Sequence, residues 1–235
     1  MKSVSDITNV EYINLEHRTD RKMQVEDELR RIGLLDVAFR FPAIQMKDGR
    51  VGCTMSHIKC LEKAKKNNLE HLVLIEDDIQ FTNPPLFMNN LNKFLSLGID
   101  WDIILIAGNN VPPHTPVDDC AVKVNSCQTT TGYIVNGHYF DTLIENMKEG
   151  LKKLLQDPKN HFHYAVDKYW FNLQKRDKWF LITPLSVTQR QGYSDIEKRE
   201  TNFTHAMLDL DKVELMRRYA MRTFVDVKPT LHNGL

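Results

Sequence analysis

The sequence predicts an α/β fold: a mostly parallel sheet flanked by helices. Three observations carry that expectation. Short hydrophobic runs recur between stretches of helical spacing, the alternation expected of strand–helix–strand units. Leu72-Val73-Leu74-Ile75 is apolar without alternation, as in a strand buried on both faces. The length of 235 residues, with 42% hydrophobic and 26% charged side chains, suits one such domain, alone or with a small addition.

The elements follow in order. Residues 10–15 read as a first strand. In 19–32, Val25, Leu29 and Ile32 share one helical face, and Gly33 supplies a C-terminal stop. Val37, Phe39 and Phe41 alternate as a short strand ended by Pro42. Gly52 permits a tight turn before a helix at 54–66, which puts Ser56 and His57 in its first turn. The Leu72 strand comes next. Pro84 and Pro85 then open a helix that carries Leu91, Phe94 and Leu95. Residues 102–107 are a further buried strand. Residues 108–120, rich in asparagine and proline, read as a surface loop long enough to face a substrate. A strand at 131–136 precedes an amphipathic helix at 139–155, marked by Leu143, Met147, Leu151 and Leu154. A helix at 163–174 and a strand at 178–183 follow. The last helix, 211–224, has Asp211 and Glu214 placed as a capping box. Leu215, Met216 and Tyr219 give it a stripe for packing on the core, while Arg217, Arg218 and Arg222 leave contact with a membrane surface or a partner as alternatives. The division expected is one domain at 1–205 and a C-terminal helix and tail at 206–235 on the same domain.

Composition excludes some classes. Lysine plus arginine equals aspartate plus glutamate at 31 each, against the basic excess of a nucleic-acid binder. The chain shows no signal-peptide core and no run of membrane-span length, so a cytoplasmic protein, or one at the cytosolic face of a membrane with peripheral contact, is expected. Cys53, Cys60, Cys120 and Cys127 form no C-x-x-C pair, which argues against a structural zinc site, and free thiols are expected rather than disulfides.

Four clusters carry chemistry. Glu76-Asp77-Asp78 closes the Leu72 strand, at the sheet edge where open α/β folds bind ligands. Carboxylates this close repel one another unless a cation or protons neutralise them. Magnesium and manganese, the ions that accompany phosphates, take oxygen ligands. A hard cation and a phosphorylated substrate are therefore the reading, with a simple acidic loop as the alternative. In Tyr12-Ile13-Asn14-Leu15-Glu16-His17-Arg18-Thr19-Asp20-Arg21 a strand runs into a helix start, where backbone amides and the helix dipole meet phosphates. Arg18 and Arg21 add positive charge there; a solvated helix start is the alternative. His57, in Gly52-Cys53-Thr54-Met55-Ser56-His57, is either a packed histidine or a catalytic one. The late segment with Gln189, Gly192, Ser194, Asp195 and Ile196 is a polar loop of the kind that carries function.

In their order and spacing these clusters resemble glycosyltransferase family 25, which includes lipooligosaccharide and collagen galactosyltransferases. The pattern Y-I-N-L-x-x-R-x-D-R from Tyr12, G-C-x-x-S-H from Gly52, the acidic triplet, and Q-x-x-x-x-S-D-I from Gln189 carry it across residues 12–196. The segment after Trp101 and Gly132-Tyr133-Ile134-Val135 look like family segments too. The departures are a glutamate at the head of the triplet and no family pattern after Thr201.

The resemblance implies a GT-A-like (Rossmann-like) fold and an inverting transfer of a hexose. Galactose or glucose would move from a UDP-sugar to a glycan, lipid-linked or protein-linked hydroxyl. It puts Glu76-Asp77-Asp78 in the place of a DxD motif, with Asp78 and Glu76 holding Mn2+ (or Mg2+), Asp78 most directly. Glu76 or Asp77 would also reach the ribose or a metal-bound water. Asn14, Leu15, Arg18, Arg21, Ser56, His57, Gln189 and Ser194 complete the implied donor site. Asp167, in a segment similar to a late V-D element of the family, is the implied base, with Asp195 second; an exposed helix acid is the alternative for Asp167. Two other classes stay open. One is a GT-A module that binds without turnover. The other is a haloacid-dehalogenase-type phosphohydrolase, for which Asp78, Gln80 and Thr82 have the D-x-D-x-T spacing but Gln80 cannot act as acid or base.

Overall fold

The apolar runs form the centre of the molecule because each is screened from water on both sides. The computed structural model describes residues 1–213 and Arg217. Its frame is an eight-stranded sheet: β1 (Val10–Asn14), β2 (Ala38–Pro42), β3 (His71–Glu76), β4 (Ile103–Leu105), β5 (His114–Asp118), β6 (Ala121–Val124), β7 (Gly132–Asn136) and β8 (Trp179–Ile182). Their spatial order is β2-β1-β3-β7-β4-β8-β6-β5. Six strands run one way; β7 and β6 run against them.

Side-chain alternation sends the two halves of each strand to opposite layers. Val73 and Ile75 of β3 join a core beneath helices α1 (Thr19–Arg31) and α3 (Pro84–Ser96). Leu72 and Leu74 join a second core beneath α2 (Gly49–Lys66) and α4 (Phe140–Gln156). This three-layer α/β architecture is the one the sequence predicts.

Several local expectations are corrected. Residues 108–120 hold a strand rather than a loop: β5 pairs antiparallel with β6 at the sheet edge, and Asn109–Asn110 pairs with Cys127–Gln128. An edge strand tolerates the missing N–H of Pro116, so proline there was a misleading signal. The helix expected at 163–174 is three short pieces, His161–Tyr164, Val166–Tyr169 and Phe171–Arg176, broken where Ala165 turns extended at ψ 145°. Helix α2 starts five residues early, at Gly49, capped by the Asp48 carboxylate on the Arg50 N–H at 3.0 Å. Ser56 and His57 therefore lie in mid-helix, not in a first turn. Gly52 serves close approach, since a Cβ there would strike the Ile44 carbonyl oxygen. The helix expected at 211–224, with Leu215, Met216, Tyr219, Arg218 and Arg222, falls beyond its first residues outside the described residues; Arg217 is exposed.

The acidic chain end of β3 is fixed by its neighbours. Strands β1 and β3 are parallel, with Ile13 opposite Glu76, so Asn14 reaches the triplet. After the triplet, Ile79–Phe81 pairs with Val187–Gln189, which brings the late loop over the same sheet edge. Glu28, only 2% exposed, pins that pair to α1. Its carboxylate accepts from Arg190 at 2.6 Å, from Arg31 at 2.6 Å and from the Phe81 N–H at 3.1 Å. All four cysteines are free thiols.

Removing Glu28 strands the partly buried Arg190 guanidinium and the Phe81 amide. Glu28→Ala is expected to cost about 3 kcal/mol, the scale for breaking a buried pair from one side. Urea unfolding checks it. A loss below about 1 kcal/mol, the worth of an exposed pair, would show that Glu28 does not pin the late loop.

Candidate active site

Three carboxylates in succession at the end of a buried strand each need a distinct source of compensation. Glu76 projects toward α2. Its Oε1 accepts from Thr130 Oγ1 at 2.7 Å and His57 Nε2 at 3.2 Å, with Cys53 Sγ at 3.5 Å. Burial pushes its pKa up, but His57 and the other donors together hold it below the ordinary carboxylate value. Asp77 turns toward β1 and α1, where Asn14 Nδ2 donates at 2.7 Å and Arg21 at 3.0 Å. Burial outweighs them and raises its pKa.

Asp78 is the least compensated. Arg21 reaches its Oδ2 at 3.2 Å, while Oδ1 is buried without a partner. Burial first, and then the Glu76 charge, push its carboxyl up to about 7.

Around the triplet lies a cleft of about 210 Å³. Leu15, Arg21, Ser56 and His57 line it from one side and Gln189, Ser194 and Asp195 from the other, with all three acids at its floor. Asn14 and Arg18, expected at the donor site, brace the wall. Asn14 donates to the Arg18 carbonyl at 2.9 Å and accepts from Arg40 at 2.9 Å. Arg18 pairs with Asp195 at 2.7 Å, and Arg21 donates to the Tyr193 carbonyl at 2.8 Å. Two arginines thus tie the Gly192–Ser194 and Arg199–Thr201 hairpin over the cleft. The Arg190 N–H on the Asp78 carbonyl, at 2.6 Å, fixes the base of that hairpin.

Ser56 is fully buried. It donates to the Gly52 carbonyl at 2.8 Å and accepts from the Ile44 N–H at 2.9 Å, which anchors the wall formed by Ile44, Gln45 and Met46. His57 is buried too, stacked on Tyr133 and bonded to its hydroxyl at 2.8 Å. Asp167 stands outside the cleft lining. It is half-buried at the start of Val166–Tyr169, with Oδ2 accepting from the Thr129 N–H at 3.2 Å. Burial raises its pKa, and the Glu76 charge adds to this. Gln80 and Thr82 do not line the cleft, and the Thr82 hydroxyl is spent on the Ser186 carbonyl at 2.9 Å.

Sequence reasoning missed Arg40, Thr130 and Lys198. A charged residue between two phenylalanines was the available signal for Arg40, and the run Thr129-Thr130-Thr131 beside a strand start was that for Thr130. Lys198, which lines the cleft from the hairpin turn, gave none.

The profile of "Glycosyltransferase family 25 (LPS biosynthesis protein)" matches residues 40–170, more than half of the chain. Two curated relatives, each named "Glycosyltransferase 25 family member", are similar over most of it. The one from Aedes aegypti is 26% identical over 88% of this chain and 41% of its own length. The one from Anopheles gambiae is 25% identical over 83% and 40%. The chain thus spans about two fifths of the length of these relatives. Among solved structures, mannose-1-phosphate geranyltransferase from Thermus thermophilus gives a TM-score of 0.44 at 10% identity, covering 75% of this chain and 74% of that one. A glycosyltransferase involved in glycosylation of the major capsid of PBCV-1 gives 0.37 at 11%, covering 74% and 91%. Likenesses this loose bear on neither substrate nor fold; the architecture rests on the sheet itself.

The raised pKa of Asp78 has a consequence for stability. The ordinary value is 3.8 and the folded value about 7, so between them the folded protein keeps a proton that the unfolded chain has released. This contribution is fully present below about pH 4 and is lost as pH rises through 7. In metal-free protein, thermal unfolding of the wild type relative to Asp78→Asn should worsen between pH 5 and pH 7.5, by a few kcal/mol at most. The comparison cancels the opposite trend of His71, whose pKa burial lowers. A constant difference across that range would mean that Asp78 is ionised throughout.

Proposed function

The chain belongs to glycosyltransferase family 25, and from that premise we propose that it transfers a hexose, galactose or glucose, from a UDP-sugar to a hydroxyl of a glycan, lipid-linked or protein-linked acceptor with inversion. The observation that carries this reading is the cleft floored by Glu76, Asp77 and Asp78 and walled by Arg21 and Asp195. It lies at the C-terminal edge of parallel strands, where a nucleotide diphosphate fits an α/β sheet.

A divalent cation, manganese or magnesium, fits the residues present. Asp78 Oδ1 is buried with no hydrogen-bond partner, an expensive arrangement that a hard cation relieves. Asp78 and Glu76 would hold the ion; bound, it supplies charge neutralisation for the departing diphosphate. The protein's own groups do the rest. Arg21 adds positive charge beside the phosphates, Arg18 holds Asp195, and Asn14 keeps Asp77 oriented. Gln189 and Ser194 on the hairpin side close over the donor.

An inverting displacement is in-line, so the acceptor proton leaves on the face opposite the diphosphate. Asp167 supports the role of base. It is separate from the lining of the donor cleft, and burial raises its pKa. Asp195 lines the cleft but is engaged by Arg18, which suits donor binding better. Among the described residues no helix is long and apolar enough to cross a membrane.

A donor screen reading released uridine diphosphate, with and without manganese, tests the activity. One UDP-hexose should be turned over, and Asp78→Asn should cut turnover about 100-fold or more with the fold intact. Failure of every UDP-sugar to turn over while uridine diphosphate still binds would make the chain a binding module. Cleavage of a generic phosphate ester would make it a phosphohydrolase.

The base is tested separately. Asp167→Asn should slow transfer about 100-fold or more and leave uridine diphosphate affinity within a fewfold. Near-normal transfer would move the role to Asp195, and weakened nucleotide binding would put Asp167 in the donor site.

A further inference from the structure

Beside the donor cleft is a second cluster with different chemistry. Cys53 and His57 are one turn apart on α2, so their side chains share a helix face, and Glu76 meets them from the end of β3. Cys53 Sγ, a ring nitrogen of His57 and a carboxylate oxygen of Glu76 all lie within 4.8 Å of one another. Among the described residues only one other such trio exists, Asp118, Asp119 and Cys120. There Lys93 already engages both carboxylates.

We propose that Cys53, His57 and Glu76 form a site for a borderline-soft divalent cation, zinc(II), with its fourth position open to the cleft. The spacing carries this. Zinc bonds of about 2.0 Å to oxygen, 2.05 Å to nitrogen and 2.3 Å to sulfur, at tetrahedral angles, require ligand–ligand edges of about 3.3 Å for N–O and about 3.5 Å for S–O. Two of the three edges are 3.2 Å from His57 Nε2 to Glu76 Oε1 and 3.5 Å from Cys53 Sγ to the same oxygen, and the third, from Cys53 Sγ to the His57 ring, lies within 4.8 Å. The partners of a ligand set are also in place. The Tyr133 hydroxyl holds His57 Nδ1 at 2.8 Å, and Thr130 holds Glu76 at 2.7 Å, the outer contacts that orient ligands for a metal. Cys53, His57 and Glu76 all line the cleft, so an ion and a fourth ligand can enter. Thiolate and imidazole favour zinc over manganese or magnesium.

Binding balances in protons. The Cys53 thiol releases one to solvent as the sulfur–zinc bond forms. His57 keeps its proton on Nδ1 when Nε2 ligates, and that N–H donates a hydrogen bond to the Tyr133 hydroxyl oxygen. Zinc here shares Glu76 with the proposed hard-cation site, so it should inhibit a manganese-supported transfer. That consequence rests on the proposed function; the binding does not.

Cobalt(II) titration of the intact chain tests the site without any sugar nucleotide. The wild type should take one equivalent and show a thiolate-to-cobalt charge-transfer band with the strong visible bands of tetrahedral cobalt, all removed by an equivalent of zinc. Cys53→Ser should lose the charge-transfer band; Cys60→Ser and Cys120→Ser should keep it. X-ray absorption of the zinc-loaded wild type should find one sulfur at about 2.3 Å, a result that does not depend on any variant folding. Three outcomes would overturn the proposal: only weak six-coordinate bands at saturating cobalt, a zinc shell of nitrogen and oxygen alone, or a charge-transfer band that survives in Cys53→Ser.

Discussion

The structure depends on one constraint: three carboxylates emerge together at the end of a strand buried on both faces. Two adjacent carboxylates in a low-dielectric edge repel strongly, and three cannot share one compensator. The fold answers by separating them. Glu76 is turned to the polar face of α2, Asp77 to Asn14 and α1, and Asp78 to Arg21 and the cleft. Arg21 bridges the second and third acids; Glu76 is held below the ordinary carboxylate value, while burial raises both Asp77 and Asp78. Compensation is least complete at Asp78, whose Oδ1 is buried without a hydrogen-bond partner.

The surrounding elements follow from that division of labour. Helix α1 has to start beside the triplet because Arg18 and Arg21 are needed there, and Asn14 sets its approach through the Arg18 carbonyl. The late hairpin is drawn in by the same two arginines and by Glu28 through Arg190. Helix α2 lies so close that Gly52 cannot be replaced without moving Ile44, and Ser56 staples that segment in place. Residues far apart in sequence converge because each satisfies part of one electrostatic demand.

How much of this was legible depends on the kind of signal. The Leu72 run and the amphipathic pattern of α4 announced strand and helix, since hydrophobic periodicity is local. Strand direction was not legible: Tyr133-Ile134-Val135 reads as apolar whichever way it runs, and β7 lies reversed between β3 and β4. The helix break at Ala165 has no glycine or proline to mark it. The triplet and the Arg18–Arg21 cluster were visible because charge beside an apolar run is conspicuous. Ser56 and His57 were placed in a first turn because Gly52 was read as a turn former, when the tertiary contact with Ile44 is what calls for glycine. The Cys53–His57–Glu76 trio was illegible, because Glu76 meets the other two only through the sheet.

The central claim is that the donor nucleotide occupies the cleft above the triplet. Hydrogen exchange on adding uridine diphosphate with manganese tests it most directly. The account predicts slowed exchange in residues 12–22, 43–57, 76–80 and 189–198, with little change at 158–174. Protection confined to 158–174, or to the hollow at the opposite sheet edge lined by Met1, His71 and His138, would contradict it.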